Sequence, residues 1–196
     1  MQQYAVAKYR TFIWTIFLAL TTLLVSAQSE MAHNSSTGME IQQYPTGFLF
    51  GFYQDWQISK CAYLEGRLGY NLVRHGDAGV HDDERGGGFG GSIGLHWILG
   101  RTKQTARKAW ILGGRIDLWF NNIDWKDAID FGYQKGSTKA MVLQPTALVG
   151  HQFSMGNQWL LTPTLAFGAE VNVREEGGEV GEGLILLWGL RFARIW

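Results

Sequence analysis

The stretch Leu64–Leu72 has the sequence LEGRLGYNL, in which apolar and polar residues alternate. The even positions carry the apolar residues and the odd positions the polar ones: Leu64, Leu68, Tyr70 and Leu72 against Glu65, Arg67 and Asn71. Successive side chains of a β-strand point to opposite faces, so this alternation predicts a strand with one apolar and one polar face.

The same period of two recurs along most of the chain. It is found in Gly47–Gln57, Phe89–Leu99, Trp110–Phe120, Ala140–Gln152, Trp159–Val173 and Leu184–Trp196. These segments are about 10–15 residues long, whereas an ordinary globular strand has about five or six. Strands of the greater length are typical of membrane-crossing β-barrels.

The connections between these segments alternate in length. The shorter ones are 58–61, 100–108 and 153–157, and the longer, polar and glycine-rich ones are 75–86, 121–138 and 174–183. Outer-membrane barrels have short periplasmic turns, longer outer loops and an even number of strands. Counting back from a periplasmic C-terminus, we expect an eighth strand within Thr37–Tyr44. The predicted fold is therefore all-β, an eight-stranded antiparallel up-and-down transmembrane β-barrel.

The first 27 residues have the organisation of a cleavable export signal. Two basic residues, an uncharged and mainly apolar run, and two small residues follow one another: Lys8 and Arg10, Thr11–Val25, and Ser26 with Ala27. The run is short for a transmembrane helix, which needs about 17–25 apolar residues, so we expect cleavage after Ala27. The predicted organisation is a signal peptide (1–27), an N-terminal segment in which the first strand is expected (28–45) and the barrel (46–196).

Charge and cysteine content exclude two classes of protein. The sequence has 17 basic and 17 acidic residues. Lys8 and Arg10 are the only charged residues of the predicted signal, so the exported chain is slightly acidic. Proteins that bind nucleic acid usually carry a basic stripe, and we expect no nucleic-acid partner. The single cysteine, Cys61, cannot form an internal disulfide, so the chain is not a disulfide scaffold.

Two observations predict that the apolar face meets lipid. The polar face consists mainly of Gly, Ser and Thr with few charges, whereas a water-exposed surface carries interspersed Lys and Glu. The apolar face also carries aromatic residues at both ends of the strands: Trp56, Trp97, Trp110, Trp159 and Trp196 at the periplasmic end, and Phe48, Tyr70, Phe89 and Phe120 at the other. Two such belts indicate anchoring at two membrane surfaces. A soluble barrel with its apolar face inward is the alternative.

The C-terminal stretch Leu184–Trp196 (LILLWGLRFARIW), with its final aromatic residue, and the glycine- and aromatic-rich strands resemble the small outer-membrane barrels of the OmpA membrane-domain and OmpX class. The resemblance covers residues 46–196. It implies an outer-membrane location and a last strand that the barrel-assembly machinery reads as its signal. Arg194 departs from this pattern because it interrupts the apolar face, although near the membrane edge its charged end can reach water.

The inward face carries a set of charged and polar side chains. They are Glu65, Arg67, His96, Arg115, Asp117, Glu170 and Arg191. Buried charges must be paired, so we expect a polar network that closes the narrow lumen, with a gated pore or proton path as the alternative. If the loop edges 74 and 87 pair, Glu65 lies opposite His96 and Arg67 opposite Gly94, with Cβ atoms about 4.5–5.5 Å apart.

Catalysis has weak support in the sequence. Ser92, His96 and Asp117 share the inward face, which suggests a catalytic triad. Residues four apart on one strand are separated by about 13 Å, however, which is too far for a nucleophile and its base. The motif of Ser, His and Asn expected of a lipid deacylase is also missing. We therefore expect no enzymatic activity.

Two predicted outer loops have unusual compositions. The segment 75–84 is rich in His and acidic residues, which could ligate a divalent cation or simply be solvated; we expect no metal or cofactor. The segment 121–138 contains Trp125, Phe131 and Tyr133. These aromatic side chains either form a surface for a partner or pack over the mouth of the barrel.

The sequence as a whole predicts an integral outer-membrane barrel with a structural, adhesive or envelope-accessory role. Its expected partners are outer-membrane lipids and the barrel-assembly machinery, and the expected state is a monomer. A soluble periplasmic ligand-binding barrel and a lipid-modifying outer-membrane enzyme are the two alternatives. An apolar lumen would favour the first of these, and a nucleophile close to a histidine in the barrel mouth would favour the second.

Overall fold

The computed structural model describes residues 35–76, 81–99, 108–129 and 132–196, which form a closed antiparallel barrel. Each strand pairs with the next along the chain, and the last pairs with the first. The strands are β1 (Ser35–Tyr44), β2 (Gly47–Gln57), β3 (Ala62–Gly76), β4 (Asp83–Leu99), β5 (Lys108–Ile129), β6 (Gly132–Met155), β7 (Trp159–Glu176) and β8 (Gly183–Ile195). The eight-stranded up-and-down fold is confirmed, and the expected eighth strand is β1.

Both ends of the described chain lie at the same end of the barrel, which we call the terminal end. Ser36 of β1 pairs with Ile195 of β8, and the Ser35 amide donates to the Trp196 carbonyl at 3.3 Å. The turn between β6 and β7 also lies there, and its Gly156 has φ of +70°, which glycine adopts without the penalty of a Cβ atom. The opposite end, where β3 leads to β4 and β7 to β8, is called the loop end.

The prediction of a long loop at 121–138 is wrong. β5 continues to Ile129, β6 begins at Gly132, and the two strands pair along this whole length. Beyond Phe120 the outward positions of β5 are polar or charged as far as Lys126, namely Asn122, Asp124 and Lys126, while Ile123 still points inward. The pattern of apolar outward residues therefore stops at Phe120, although the strand continues. Because this pattern was the signal used to predict strands, the extension of β5 was not predicted.

The other boundaries differ by smaller amounts. β3 reaches Gly76 and β4 begins at Asp83, so both strands extend into the predicted loop 75–86. The loop at 174–183 is reduced to 177–182, and the turn at 153–157 to 156–158, while the turn 58–61 is as predicted. The barrel includes β1 and so begins at Ser35 rather than at 46. The predicted signal peptide and residues 100–107 of the predicted turn 100–108 lie outside the described residues.

The outward face carries a band of apolar side chains. Leu68 and Phe89 are each 74% exposed, and exposed apolar residues occur on all eight strands. Soluble proteins rarely expose apolar patches of such extent, so the band is the lipid-facing surface of a transmembrane barrel. The soluble alternative requires the apolar face to point inward, and the structure has the reverse arrangement. In the described part of the chain, no helix has the length and apolar character needed to cross a membrane.

The lumen is filled by side chains in successive layers. An apolar layer on the loop-end side consists of Leu49, Trp119, Val142 and Leu187, each at most 1% exposed. A second apolar group, which includes Ile98, Ile111 and Leu148, lies towards the terminal end. Charged side chains occupy the space between these two apolar groups. The candidate site formed by these charged side chains therefore lies in the lumen, between the two apolar groups.

Candidate functional site in the lumen

Eight ionisable side chains meet in the middle of the lumen, and we call them the central cluster. They are Glu40, Asp55, Glu65, Arg67, His96, Arg115, Asp117 and Arg191, each at most 7% exposed. They come from β1, β2, β3, β4, β5 and β8. Four carboxylates thus face three guanidinium groups and one imidazole across the barrel. Burial of so many charges is tolerated because they are paired.

One half of the central cluster is built around Arg67 and Arg115. Both guanidinium groups donate to Glu40 Oε2, Arg67 Nη1 at 2.7 Å and Arg115 Nη1 at 2.9 Å. Asp117 accepts from both as well, from Arg67 Nη2 through Oδ1 and from Arg115 Nε through Oδ2 at 3.2 Å. Gln42 Oε1 accepts from Arg115 Nη2 at 2.6 Å. These contacts tie β1, β3 and β5 together across the lumen.

The other half is built around Arg191. Its Nη2 atom lies 2.8 Å from Glu65 Oε2 and 3.5 Å from Asp55 Oδ2, and its guanidinium carbon lies 3.8 Å from the centre of the Tyr53 ring. Asp55 and Glu65 are directly opposed on β2 and β3. Arg191 therefore offsets a repulsion between two carboxylates that the strand register forces together.

His96 lies beside the same two carboxylates. Its Nδ1 atom is 3.8 Å from Glu65 Oε2, and its Nε2 atom is 4.0 Å from Asp55 Oδ2. The predicted register, however, is wrong by two residues. Glu65 is opposite Gly94 rather than His96, and His96 is opposite Tyr63. Glu65 and His96 approach each other on the diagonal.

Arg67 is likewise opposite Ser92, not Gly94 as predicted. The prediction closed the β3–β4 hairpin with positions 74 and 87, whereas Gly76 and Asp83 are the last pair. A slip of two residues keeps every side chain on its face. The inward face was therefore predicted correctly from the alternation even though the pairing was not.

The structure brings together six of the seven residues predicted for the lumen network. Glu170 is separate from them, because it lies on β7 nearer the loop end and lines a cavity there. Sequence reasoning missed Glu40 and Asp55, which complete the ion pairs. Glu40 lies in the strand with the poorest alternation, and Asp55 directly precedes Trp56 at the end of β2, but both occupy inward positions.

The central cluster contains one set of atoms spaced like metal ligands. Among the described residues, only Asp55, Glu65 and His96 bring three such atoms within 4.8 Å of one another. Arg191 already supplies a cation to both carboxylates, so a metal ion would have to displace it. Ser92 accepts a hydrogen bond from Arg67 Nε at 3.2 Å. The arrangement is suited to closing the lumen.

A cavity of about 910 Å³ lies on the loop-end side of the apolar layer, and we call it the outer vestibule. Its walls include Tyr44, Val73, Ile123, Val142 and Ile185. Its acidic side chains are Glu84, Glu170, Glu175, Glu179 and Glu182. His75 and Glu84 come from the segment predicted as a His- and acid-rich loop. They form a cross-strand pair instead, with His75 Nε2 2.8 Å from Glu84 Oε2.

The rim of the outer vestibule is held by a group of contacts that we call the loop clasp. His81 Nδ1 lies 2.8 Å from Asp127 Oδ2, and His81 Nε2 lies 2.8 Å from the Glu179 carbonyl oxygen. Both neighbours are acceptors, so both contacts are hydrogen bonds when both ring nitrogens carry hydrogen. The Asp82 amide also donates to Asp127. The loop clasp joins the connection after β3 and the connection after β7 to β5.

The aromatic residues near the loop end divide into two groups. Trp125 points inward, stacks on the His81 ring at 4.1 Å between centroids, and donates to Thr138 Oγ1 at 3.1 Å. Tyr133 is exposed, with Lys126 Nζ 3.5 Å from its ring centre. Phe131 lies outside the described residues. Trp125 therefore packs over the mouth, and Tyr133 remains available at the surface.

The outer surface carries the predicted aromatic residues at the two ends of the apolar band. Trp56, Trp97, Trp110, Trp159 and Trp196 are each at least 38% exposed near the terminal end. Towards the loop end Phe48, Phe89 and Phe120 are exposed, and Tyr70, the fourth predicted member, is half-buried. Arg194 points outward at the terminal end and donates to Gln158 Oε1 at 3.2 Å.

No protein-family model and no curated protein matches the chain. Solved structures do resemble it. A major outer membrane protein from Thermus thermophilus is 13% identical, with a TM-score of 0.50, covering 83% of this chain and all of the other. The outer membrane protein AlkL in lipid bilayers is 10% identical, with a TM-score of 0.50, covering 86% and 94%. The chain therefore shares the fold of the small outer-membrane barrels.

Proposed function

We propose that the protein is an integral outer-membrane barrel with a sealed lumen, which acts as a structural or binding element of the envelope rather than as an enzyme or a pore. The central cluster is the observation that supports this proposal. Its ion pairs reach across the lumen between five strands, and an apolar layer lies on each side of them. An eight-stranded barrel is just wide enough for side chains to fill its interior.

The proposal includes a location and a set of partners. The apolar band and its aromatic ends support insertion into the outer membrane, with the terminal end in the periplasm and the loop end outside. Its partners would then be outer-membrane lipids, the assembly machinery during insertion, and a ligand or surface met at the loop end. An adhesive contact would be made at the loop end, where Tyr133 on the β5–β6 extension is exposed.

Ion conductance in planar lipid bilayers tests whether the lumen is sealed. We expect the refolded protein to give no conductance steps. Replacing Arg115 with Ala should produce an ion leak, because three carboxylates lose a partner and water must solvate them. Arg85→Ala is the matched control, since Arg85 is exposed on the outer face and pairs with Asp83. Steps from the unmodified protein would contradict the proposal.

A further inference from the structure

We infer that the outer vestibule is a binding site for a small organic cation that has an apolar body, such as an aryl- or alkylammonium. The inference rests on the proposed function in one respect, because a sealed central cluster makes the outer vestibule a blind pocket that opens only at the loop end. Its volume of about 910 Å³ falls within the range of small-molecule pockets, which is roughly 300–1,000 Å³.

The inner wall of the outer vestibule is suited to the apolar part of such a ligand. Val73, Ile123, Val142 and Ile185 point into it from β3, β5, β6 and β8. Val180 closes the cavity from the connection after β7 and is itself buried. A convergent set of aliphatic side chains with a few polar groups is the usual construction of a pocket for a small molecule.

The charge of the lining selects a cation. Five glutamates line the outer vestibule, and its described lining residues include no lysine or arginine. A cleft lined by one sign of charge and bounded by apolar walls concentrates counter-ions. The basic side chain among the described lining residues is His75, and it is already paired with Glu84. The other four glutamates have no lysine or arginine beside them among the described lining residues, so the lining as a whole is acidic.

A second observation points to a missing partner. The side chains of His75 and Glu84 are each only 4% exposed. They contact each other through His75 Nε2 and Glu84 Oε2, at 2.8 Å. Their other polar atoms, His75 Nδ1 and Glu84 Oε1, have no hydrogen-bond partner among the described residues. An unsatisfied buried carboxylate oxygen costs free energy. A ligand ammonium group that donates to Glu84 Oε1 would form a charge-assisted hydrogen bond there.

The spacing of the carboxylates favours an organic cation over a metal ion. A calcium ion takes six to eight oxygen ligands at about 2.3–2.6 Å, which requires carboxylates that converge on one point. The described residues bring three metal-ligand atoms together only in the central cluster and not in the outer vestibule. Dispersed carboxylates around an apolar cavity are better matched to a bulky cation of single charge.

Calorimetric titration of the refolded full barrel in lipid nanodiscs tests the inference. The probe is benzyltrimethylammonium, compared with benzyl alcohol, which lacks the charge, tetramethylammonium, which lacks the apolar body, and calcium chloride. We expect the probe to bind more tightly than any of the other three. Equal binding of benzyl alcohol, displacement of the probe by calcium, or no binding of the probe would overturn the inference.

Variants locate the site. Glu84→Gln and Glu170→Gln should each weaken probe binding about tenfold or more, because each removes an acidic side chain that lines the cavity. Glu176→Gln is the matched control, because Glu176 lies on the outer surface paired with Arg174 and does not line the cavity. An equal loss in all three would indicate diffuse surface charge and would overturn the site. If the unmodified protein gave conductance steps but still bound the probe, the sealed lumen would be refuted and this site would stand.

Discussion

Gly90 lies on the inward face of β4, directly against Trp119 of β5. A Cβ atom at this position would fall on the Leu118 carbonyl oxygen and on the indole ring of Trp119. Trp119 is fully buried and donates to Gln144 Oε1 at 3.3 Å, so it has little room to move. The glycine is thus required by the apolar layer that separates the central cluster from the outer vestibule.

Replacing Gly90 with Ala should therefore destabilise the barrel by about 1–3 kcal/mol, the usual cost of overpacking a core. The measurement is the urea midpoint of unfolding in lipid vesicles, followed by tryptophan fluorescence. Gly114→Ala is the matched control, because a Cβ atom there meets only the Thr146 carbonyl oxygen, at 3.4 Å. If both variants unfolded at the same urea concentration, the packing of Trp119 against Gly90 would not be limiting.

Individual positions also show how far the candidate site could be predicted. The inward orientation of Glu65 and Arg67 follows from the period of two, because parity along a strand does not depend on where the hairpin turns. Their partners do depend on it, and two residues of error in the turn placed Gly94 where Ser92 lies. Contacts across the lumen, such as Arg67 with Glu40, depend on the closure of the barrel, for which local sequence has no signal.

Among the elements, β5 and β6 differ most from expectation. They have 22 and 24 residues, whereas β1 and β2 have 10 and 11. The part of each strand inside the apolar band was predicted from its alternation. The part of β5 beyond the band was not, because its outward positions there are mostly polar while Ile123 and Trp125 point inward, which reverses the face that is apolar. The β6 extension has no such signal, because its inward positions are Gln134, Gly136 and Thr138.

The loop clasp should respond to acid. Asp127 lies on β5 beyond the apolar band, and the hydrogen bond from His81 lowers the pKa of its carboxyl group, with a smaller contribution from the Asp82 amide. A carboxyl group whose pKa is lowered in the closed state stabilises that state above its ordinary pKa. The stabilisation is lost as the pH falls through the lowered value.

Amide hydrogen exchange at 81–82 and 126–128, corrected for the intrinsic rate at each pH, measures this effect. Protection measured at about pH 5 should fall in more acidic buffer, below the ordinary Asp pKa of about 3.9. Asp127→Asn should show weaker protection and a smaller change with acid, because the Asp82 carboxylate, which accepts from the Ala128 amide at 2.6 Å, remains. Asp124→Asn, an exposed position of the same strand, should behave as the unmodified protein. An unaltered acid transition in Asp127→Asn would assign the effect to another group.

At the scale of the whole molecule, two opposite polarities are combined in one closed sheet. The barrel has no free strand edge over the band, because β1 pairs with β8 as the others pair with their neighbours. The outside is apolar over the band, and the inside is ionic at its centre. Water around the barrel would make the apolar outer surface unfavourable. Lipid around the barrel makes the apolar outside and the ionic inside favourable at once.

Arginine substitutions at two outward positions of β5 test this placement in the membrane. Ile116 is 57% exposed and lies between Trp110 and Phe120, near the middle of the band. Ala128 is also exposed and outward but lies on the extension beyond the band. Arginine at the midplane of a transmembrane barrel costs about 2–4 kcal/mol, and near or beyond the interface about 0–1 kcal/mol.

Ile116→Arg should therefore lower the free energy of unfolding from lipid vesicles by about 2–4 kcal/mol, whereas Ala128→Arg should change it by less than about 1 kcal/mol. Both side chains are exposed on the same face of the same strand, so a barrel surrounded by water would tolerate the two substitutions equally. Equal unfolding free energies would place Ile116 in water and refute the lipid-facing band. A difference of the expected size would assign the depth of β5 in the bilayer, because the cost of the charge depends on its distance from the midplane.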